Sequence, residues 1–265
     1  LGIISLSKLE ILKEVLFLDV NSYWFIKTYV FLYLLSPFLN ILIKNLKQKD
    51  YKKLLIILTV IVSVLPYVTG HQLFDNNGYT LYSFVYLYLL GAYLREYPVL
   101  KKVSMKKSTL RIVLLSIFFG CAILNYAITS LSQHFINVNS LFTEIANNLN
   151  YVKFDYSNTI VIVQTIAYFL FFETLNIKSN IINFVSKLTF GIYLIHDNVL
   201  IRTGLLLYKV LGVDNGPFSS YSFVIYIFVI AVLIFVVCAI IEFVRQKLFI
   251  LVRDIFNKIK IKARS

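Results

Sequence analysis

The sequence predicts an all-α chain folded as a polytopic bundle of transmembrane helices, and three observations carry that prediction. Of 265 residues, 59% are apolar or aromatic and only 15% are charged, against about 25% charged in an ordinary soluble domain. The apolar residues gather in runs close to the roughly 20 residues that cross the hydrocarbon core as a helix. Between those runs, Lys and Arg crowd into alternate connections. The same composition excludes a disordered or fibrous chain, and two cysteines exclude a disulfide-rich secreted module.

Seven runs qualify as spans or nearly so: 24–43, 53–70, 80–94, 112–131, 158–177, 188–208 and 222–244. The third is the shortest, with a reach of only about 22 Å as a helix. The sixth is the most polar, since it carries His196, Asp197 and Arg202. Pro37 and Pro66 fall inside the first two spans and predict kinks.

The 44–53 connection carries Lys44, Lys47, Lys49, Lys52 and Lys53, and the 95–111 connection carries Arg95, Lys101, Lys102, Lys106, Lys107 and Arg111. Lys178, Lys187 and the residues beyond Arg245 continue the pattern, whereas 71–79 has no Lys or Arg and 132–157 has only Lys153. Cytoplasmic loops collect such residues, so the chain starts outside and its C-terminus is cytoplasmic. The net charge of +13 is thereby topogenic, and the partner it implies is the lipid bilayer and not nucleic acid.

Three regions follow. Residues 1–22 form an external amphipathic segment, with Leu9, Leu12 and Leu16 spaced among Lys8, Glu10, Lys13 and Glu14. Residues 23–244 form the membrane domain, and residues 245–265 a basic cytoplasmic tail. An external start without an export signal implies upstream spans, so the chain reads as part of a longer protein.

Cys121 and Cys238 lie in spans and read as packing residues, while His71, His134 and His196 are too far apart for a short metal motif. No metal and no bound cofactor is expected. An ionisable group at membrane depth costs at least about 2.5–3.5 kcal/mol, so each one asks for a reason. Glu242 has Arg245 at i+3, Lys27 can snorkel from its span end, and Glu173 lies near the inner end of its span. The sixth span differs, because Thr189, Tyr193, His196 and Asp197 share one helical arc, with Gly191, Asn198 and Arg202 opposite. A hydroxyl, an imidazole and a carboxylate on one face can hold a polar substrate or relay protons. The same face also serves as an interhelical hydrogen-bond network. Tyr23, Trp24, Tyr79 and their neighbours read as an outer aromatic belt, and Tyr29 with Tyr33 as belt or sugar-binding cleft.

The stretches from Trp24 to Asn40, from Leu87 to Arg95 and from Leu188 to Asn198 resemble, in order, the later part of the acyltransferase 3 family. These are polytopic bacterial membrane enzymes, many of which acetylate surface polysaccharides. The resemblance implies about ten helices in the parent protein, of which this chain would be the C-terminal portion and by itself inactive. It also implies acetyl-CoA as cytoplasmic donor and a polysaccharide or lipid-linked sugar as acceptor. The family's hallmark is a basic residue, ten intervening residues and then the catalytic histidine. Eleven residues before His71, His134 and His196 stand Val60, Ile123 and Val185, so the hallmark is not present and the catalytic role is unassigned. Tyr193, His196 and Asp197 are the candidate cavity residues. The expected activity is O-acyl transfer in the bacterial cell membrane; the rival reading is a transporter or flippase of a lipid-linked glycan, which midplane polar residues and proline-broken spans also fit.

Overall fold

The computed structural model describes residues 23–69, 77–135, 140–151, 155–175, 177–198 and 222–262. All of their regular structure is helical, and the chain divides into two compact units. One is Trp24–Ile177; the other combines Leu1–Tyr23 with Lys178–Ser265. The expected amphipathic segment 1–22 lies outside the described residues.

In the first unit, α1 (Trp24–Asn45) contains Pro37. Proline cannot donate to the carbonyl four residues back, which here belongs to Tyr33. Ser36 Oγ donates to that carbonyl instead, at 2.7 Å, so the helix continues. Pro66 is accommodated differently. Between α2 (Gln48–Thr59) and α3 (Leu65–Thr69) the chain makes a π-helical turn, Val60–Val64, in which Leu65 N bonds Val60 O. That extra residue per turn separates the proline ring from the preceding carbonyls, and it buries Ser63, whose Oγ donates to Ser157 O.

Helix α4 (Leu81–Glu96) packs against α1 and α2. Tyr51 of α2 is fully buried and donates to Leu89 O at 2.6 Å, and Tyr86 Oη pairs with Thr59 Oγ1 at 2.9 Å. The long helix α5 (Lys107–Phe135), the short α6 (Ser140–Tyr151) and α7 (Thr159–Glu173) complete the unit. Leu110, Leu114, Ala167 and Leu170 form the α5–α7 core. Both ends of α7 are satisfied: Asn158 accepts from Ile160 N and Val161 N, and Arg111 donates to Thr174 Oγ1 at 3.1 Å and Thr174 O at 2.8 Å.

The second unit holds α8 (Asn180–Ser186), α9 (Thr189–His196) and the 40-residue α10 (Phe223–Lys262). Leu188, Ile192 and Cys238 form its core, which confirms Cys238 as a packing residue.

Among the described residues, three helices are long and apolar enough to cross a membrane, over Trp24–Asn45, Lys107–Gln133 and Phe223–Asn257. The Thr159–Glu173 helix is apolar but shorter, and the second expected span is helical over 53–69 with the π turn inside it. Their outward faces are apolar, as at Phe38, Ile123 and Phe228, which is the pattern of helices solvated by lipid. Two sequence expectations change. The sixth span is expected as one helix over 188–208, but α9 ends at His196 with Asp197 as its cap, and residues 199–221 lie outside the described set. The seventh, expected to stop at 244, continues as one helix through the basic segment to Lys262.

Candidate functional site

Asp197 ends α9. It sits at φ −89°, ψ 0°, and its N–H bonds to Tyr193 O at 3.1 Å, while Asn198 N bonds to Ile195 O at 3.3 Å. Asp and Asn side chains compete for nearby backbone groups and lower helix propensity, so two in succession make a stop. The turn Tyr193–Asn198 therefore presents its polar side chains at a helix end.

Tyr193 and His196 lie three residues apart with ring centroids 5.7 Å apart, edge to face. His196 Nδ1 is 3.1 Å from Ile192 O. A carbonyl only accepts, so Nδ1 carries the proton, and in the neutral ring Nε2 keeps its lone pair. Tyr23 joins this turn from the other end of the sequence. Its hydroxyl donates to Leu194 O at 3.2 Å and accepts from Asn198 Nδ2 at 2.6 Å. Tyr23 is buried and has φ +53°, a left-handed conformation that costs a side-chain-bearing residue about 1–3 kcal/mol. The two hydrogen bonds and the burial hold it there.

The helical arc read from sequence is thus only partly realised. Tyr193, His196 and Asp197 do share one turn. Thr189 does not join them, because its Oγ1 donates to Ser186 O at 2.8 Å on the exposed side. Asn198, expected on the opposite arc, belongs to the cluster, since beyond residue 196 the 100° helical step no longer applies. Arg202 and His71 lie outside the described residues. Tyr23, expected in the aromatic belt, makes instead a hydrogen bond across 171 positions that nothing in its sequence neighbours signals.

Gly191 occupies the far side of α9, where a Cβ would overlap the Glu242 carboxylate. Glu242 is buried, and it accepts from Arg245 Nε and Nη2 and from Gln246 Nε2, each at 2.7 Å. The expected i, i+3 pair is present, but as a buried bidentate clasp fitted into a glycine notch. Glu173 is exposed, as the last residue of α7, and Lys27 is half-buried.

The Trp24–Ile177 unit has a cavity of about 440 Å³ among the basic connections, lined by Gln48, Tyr93, Glu96, Tyr97 and Lys101. Behind it, burial and then the nearby Tyr97, Tyr88 and Glu96 push the Tyr51 phenol up to about 12. Tyr29 and Tyr33 lie on the exposed face of α1, with Phe25 stacked on Tyr29 at 5.9 Å. No group of three or more His, Cys, Asp or Glu able to hold a metal occurs among the described residues.

The family model described as an acyltransferase domain, Acyl_transf_3, matches residues 5–243 of the chain. No curated protein and no solved structure matches it.

Proposed function

The chain belongs to the acyltransferase 3 family, and from that premise we propose that it takes part in O-acetylation at the bacterial cell membrane. In this reading acetyl-CoA is the donor, the acceptor is a hydroxyl of a cell-envelope or exported polysaccharide, and the C-terminus is cytoplasmic. The observation that carries it is the family match, which extends over residues 5–243.

Acyl transfer to a hydroxyl needs a base for its proton, donors for the oxyanion that forms at the thioester carbonyl, and a thiolate that leaves. The Tyr193–Asn198 turn supplies groups of the right kind. His196 Nε2 and the Asp197 carboxylate can accept from a sugar hydroxyl, and the Tyr23–Asn198 pair fixes the backbone that presents them. They are positioning groups in this account, because the family's basic-x10-His pattern is not among these residues.

The test uses membranes containing the protein expressed from its complete coding sequence, supplied with radiolabelled acetyl-CoA and envelope polysaccharide. Alkali-labile label on the polysaccharide is the expected result. No incorporation above membranes lacking the protein would contradict the reading.

A further inference from the structure

Three aromatic residues from separate parts of the Trp24–Ile177 unit converge at one corner. Trp24 and Tyr79 have ring centroids 4.4 Å apart at 83°, Tyr79 and Tyr156 are 5.4 Å apart at 85°, and Trp24 and Tyr156 are 6.2 Å apart, within 29° of parallel. The corner is specified by the loops beneath it. Asn77 and Gly78 have φ values of 56° and 86°, two successive left-handed residues of the kind that Asn-Gly adopts most readily. A Cβ on Gly78 would lie 2.5 Å from Tyr156 Cβ, so glycine is what lets the two loops meet. Tyr156 N donates to Asn77 O at 3.3 Å, and Thr28 Oγ1 donates to Tyr79 O at 3.3 Å. The rings are nevertheless not consumed by packing, since Tyr79 remains 38% and Tyr156 53% exposed.

An aromatic belt distributes rings around a bundle at headgroup depth. These three contact one another at one loop junction, and the same loops carry Asn77 and Asp155. Those loops are poor in cations: 71–79 has no Lys or Arg and 132–157 only Lys153. A corner with flat apolar faces, an amide and a carboxylate suits a ligand with an apolar C–H face and a rim of hydroxyls. That is the surface of a pyranose ring. We propose that Trp24, Tyr79 and Tyr156 form a saccharide-binding platform, in which a sugar ring stacks on the exposed face of Tyr156 and its hydroxyls reach Asn77 and Asp155. This deepens the acetylation reading and rests on it for the nature of the acceptor, of which the platform would hold one residue.

Trp24 is the chain's single tryptophan, so its emission reports on the platform alone. The experiment titrates these 265 residues in lipid vesicles with a panel of neutral oligosaccharides (glucose, N-acetylglucosamine and galactose oligomers), with glycerol at equal hydroxyl concentration as control. A saturable emission change is expected with at least one oligosaccharide and none with glycerol. Tyr156→Phe should keep it, and Tyr156→Ala should weaken the apparent affinity by at least about fivefold, the scale of one lost aromatic contact. Either no response across the panel, or an equal response in Tyr156→Ala with unchanged helicity, would overturn the platform and return these rings to the belt. The transferase reading stands or falls separately. Label transfer to polysaccharide without any tryptophan response sinks the platform alone, whereas sugar binding without transfer sinks the acetylation reading and leaves the platform.

Discussion

Gly191→Ala tests how the helix bearing His196 is held against α10. In most helix interiors this substitution stabilises, by roughly 0.5–1 kcal/mol, because alanine orders at lower entropic cost. Here the new methyl would occupy the place of the Glu242 carboxylate, which is buried and bound by Arg245 and Gln246. Overpacking of this kind costs about 1–3 kcal/mol. Displacing the carboxylate from its bidentate partner adds to that, although Arg245 is half exposed and water would replace part of the loss. A net destabilisation of about 2–4 kcal/mol follows, and with it a lowering of the unfolding midpoint by roughly 4–16 °C. In a Cys121→Ser background a thiol-reactive fluorophore suits the measurement, because Cys238 is buried in this core and reacts as the core opens. Gly191→Ala combined with Glu242→Ala should lose less than the sum of the two single variants, since the second removes the atoms that the first strikes. A Gly191→Ala midpoint equal to or above that of the parent would refute the notch.

Three further outcomes are expected. Tyrosinate absorbance of the parent minus that of Tyr51→Phe should titrate near pH 12; because the unfolded phenol ionises first, stability contributed at Tyr51 is complete below pH 10 and falls as pH rises from 10 to 12, and a difference midpoint near 10 would contradict the burial argument. Arg111→Lys replaces a two-pronged cap on Thr174 by a single ammonium and should lower stability by about 1–2 kcal/mol in thermal unfolding, whereas an unchanged midpoint would show the cap to be ornamental. In intact cells, an impermeant thiol reagent should label Asn148→Cys and spare Lys102→Cys in a background without Cys121 and Cys238; the reverse pattern would invert the topology.

The long apolar helices were legible because lipid imposes length and composition together, and Trp24–Asn45 ends within two residues of its expected boundary. The unexpected endings have local causes. Asp197-Asn198 is a stop signal that the apolar character of 188–208 concealed, and with the helix ending there the wheel misplaced Asn198. The basic segment after Arg245 stayed helical because Lys, Arg, Leu and Ile are all compatible with helix, so charge marks the change of environment and not the end of the element. Pro66 announced a distortion, but its form, a π turn that buries Ser63, depends on the 157–159 loop 94 positions away. The candidate turn was found through His196 and Asp197, the residues that are expensive in lipid. Tyr23 and the Gly191–Glu242 notch escaped notice because tyrosine and glycine are ordinary in membrane helices, and only tertiary contacts give them their roles. The Asn77-Gly78 pair was a turn signal available in the sequence, and its partner Tyr156 was not.

Turnover per monodisperse molecule separates a Tyr193–Asn198 turn that holds the acceptor hydroxyl from one that only packs. The parent, His196→Ala and Asp197→Asn, each expressed from the complete coding sequence, would be assayed with radiolabelled acetyl-CoA and polysaccharide after sizing in detergent. Each variant should be recovered from the membrane as the parent is and turn over roughly 5–150-fold more slowly, the effect of losing about 1–3 kcal/mol of hydrogen bonding to the acceptor. Normal turnover by both variants, with lowered recovery or detergent stability, would contradict it and make this turn a packing element.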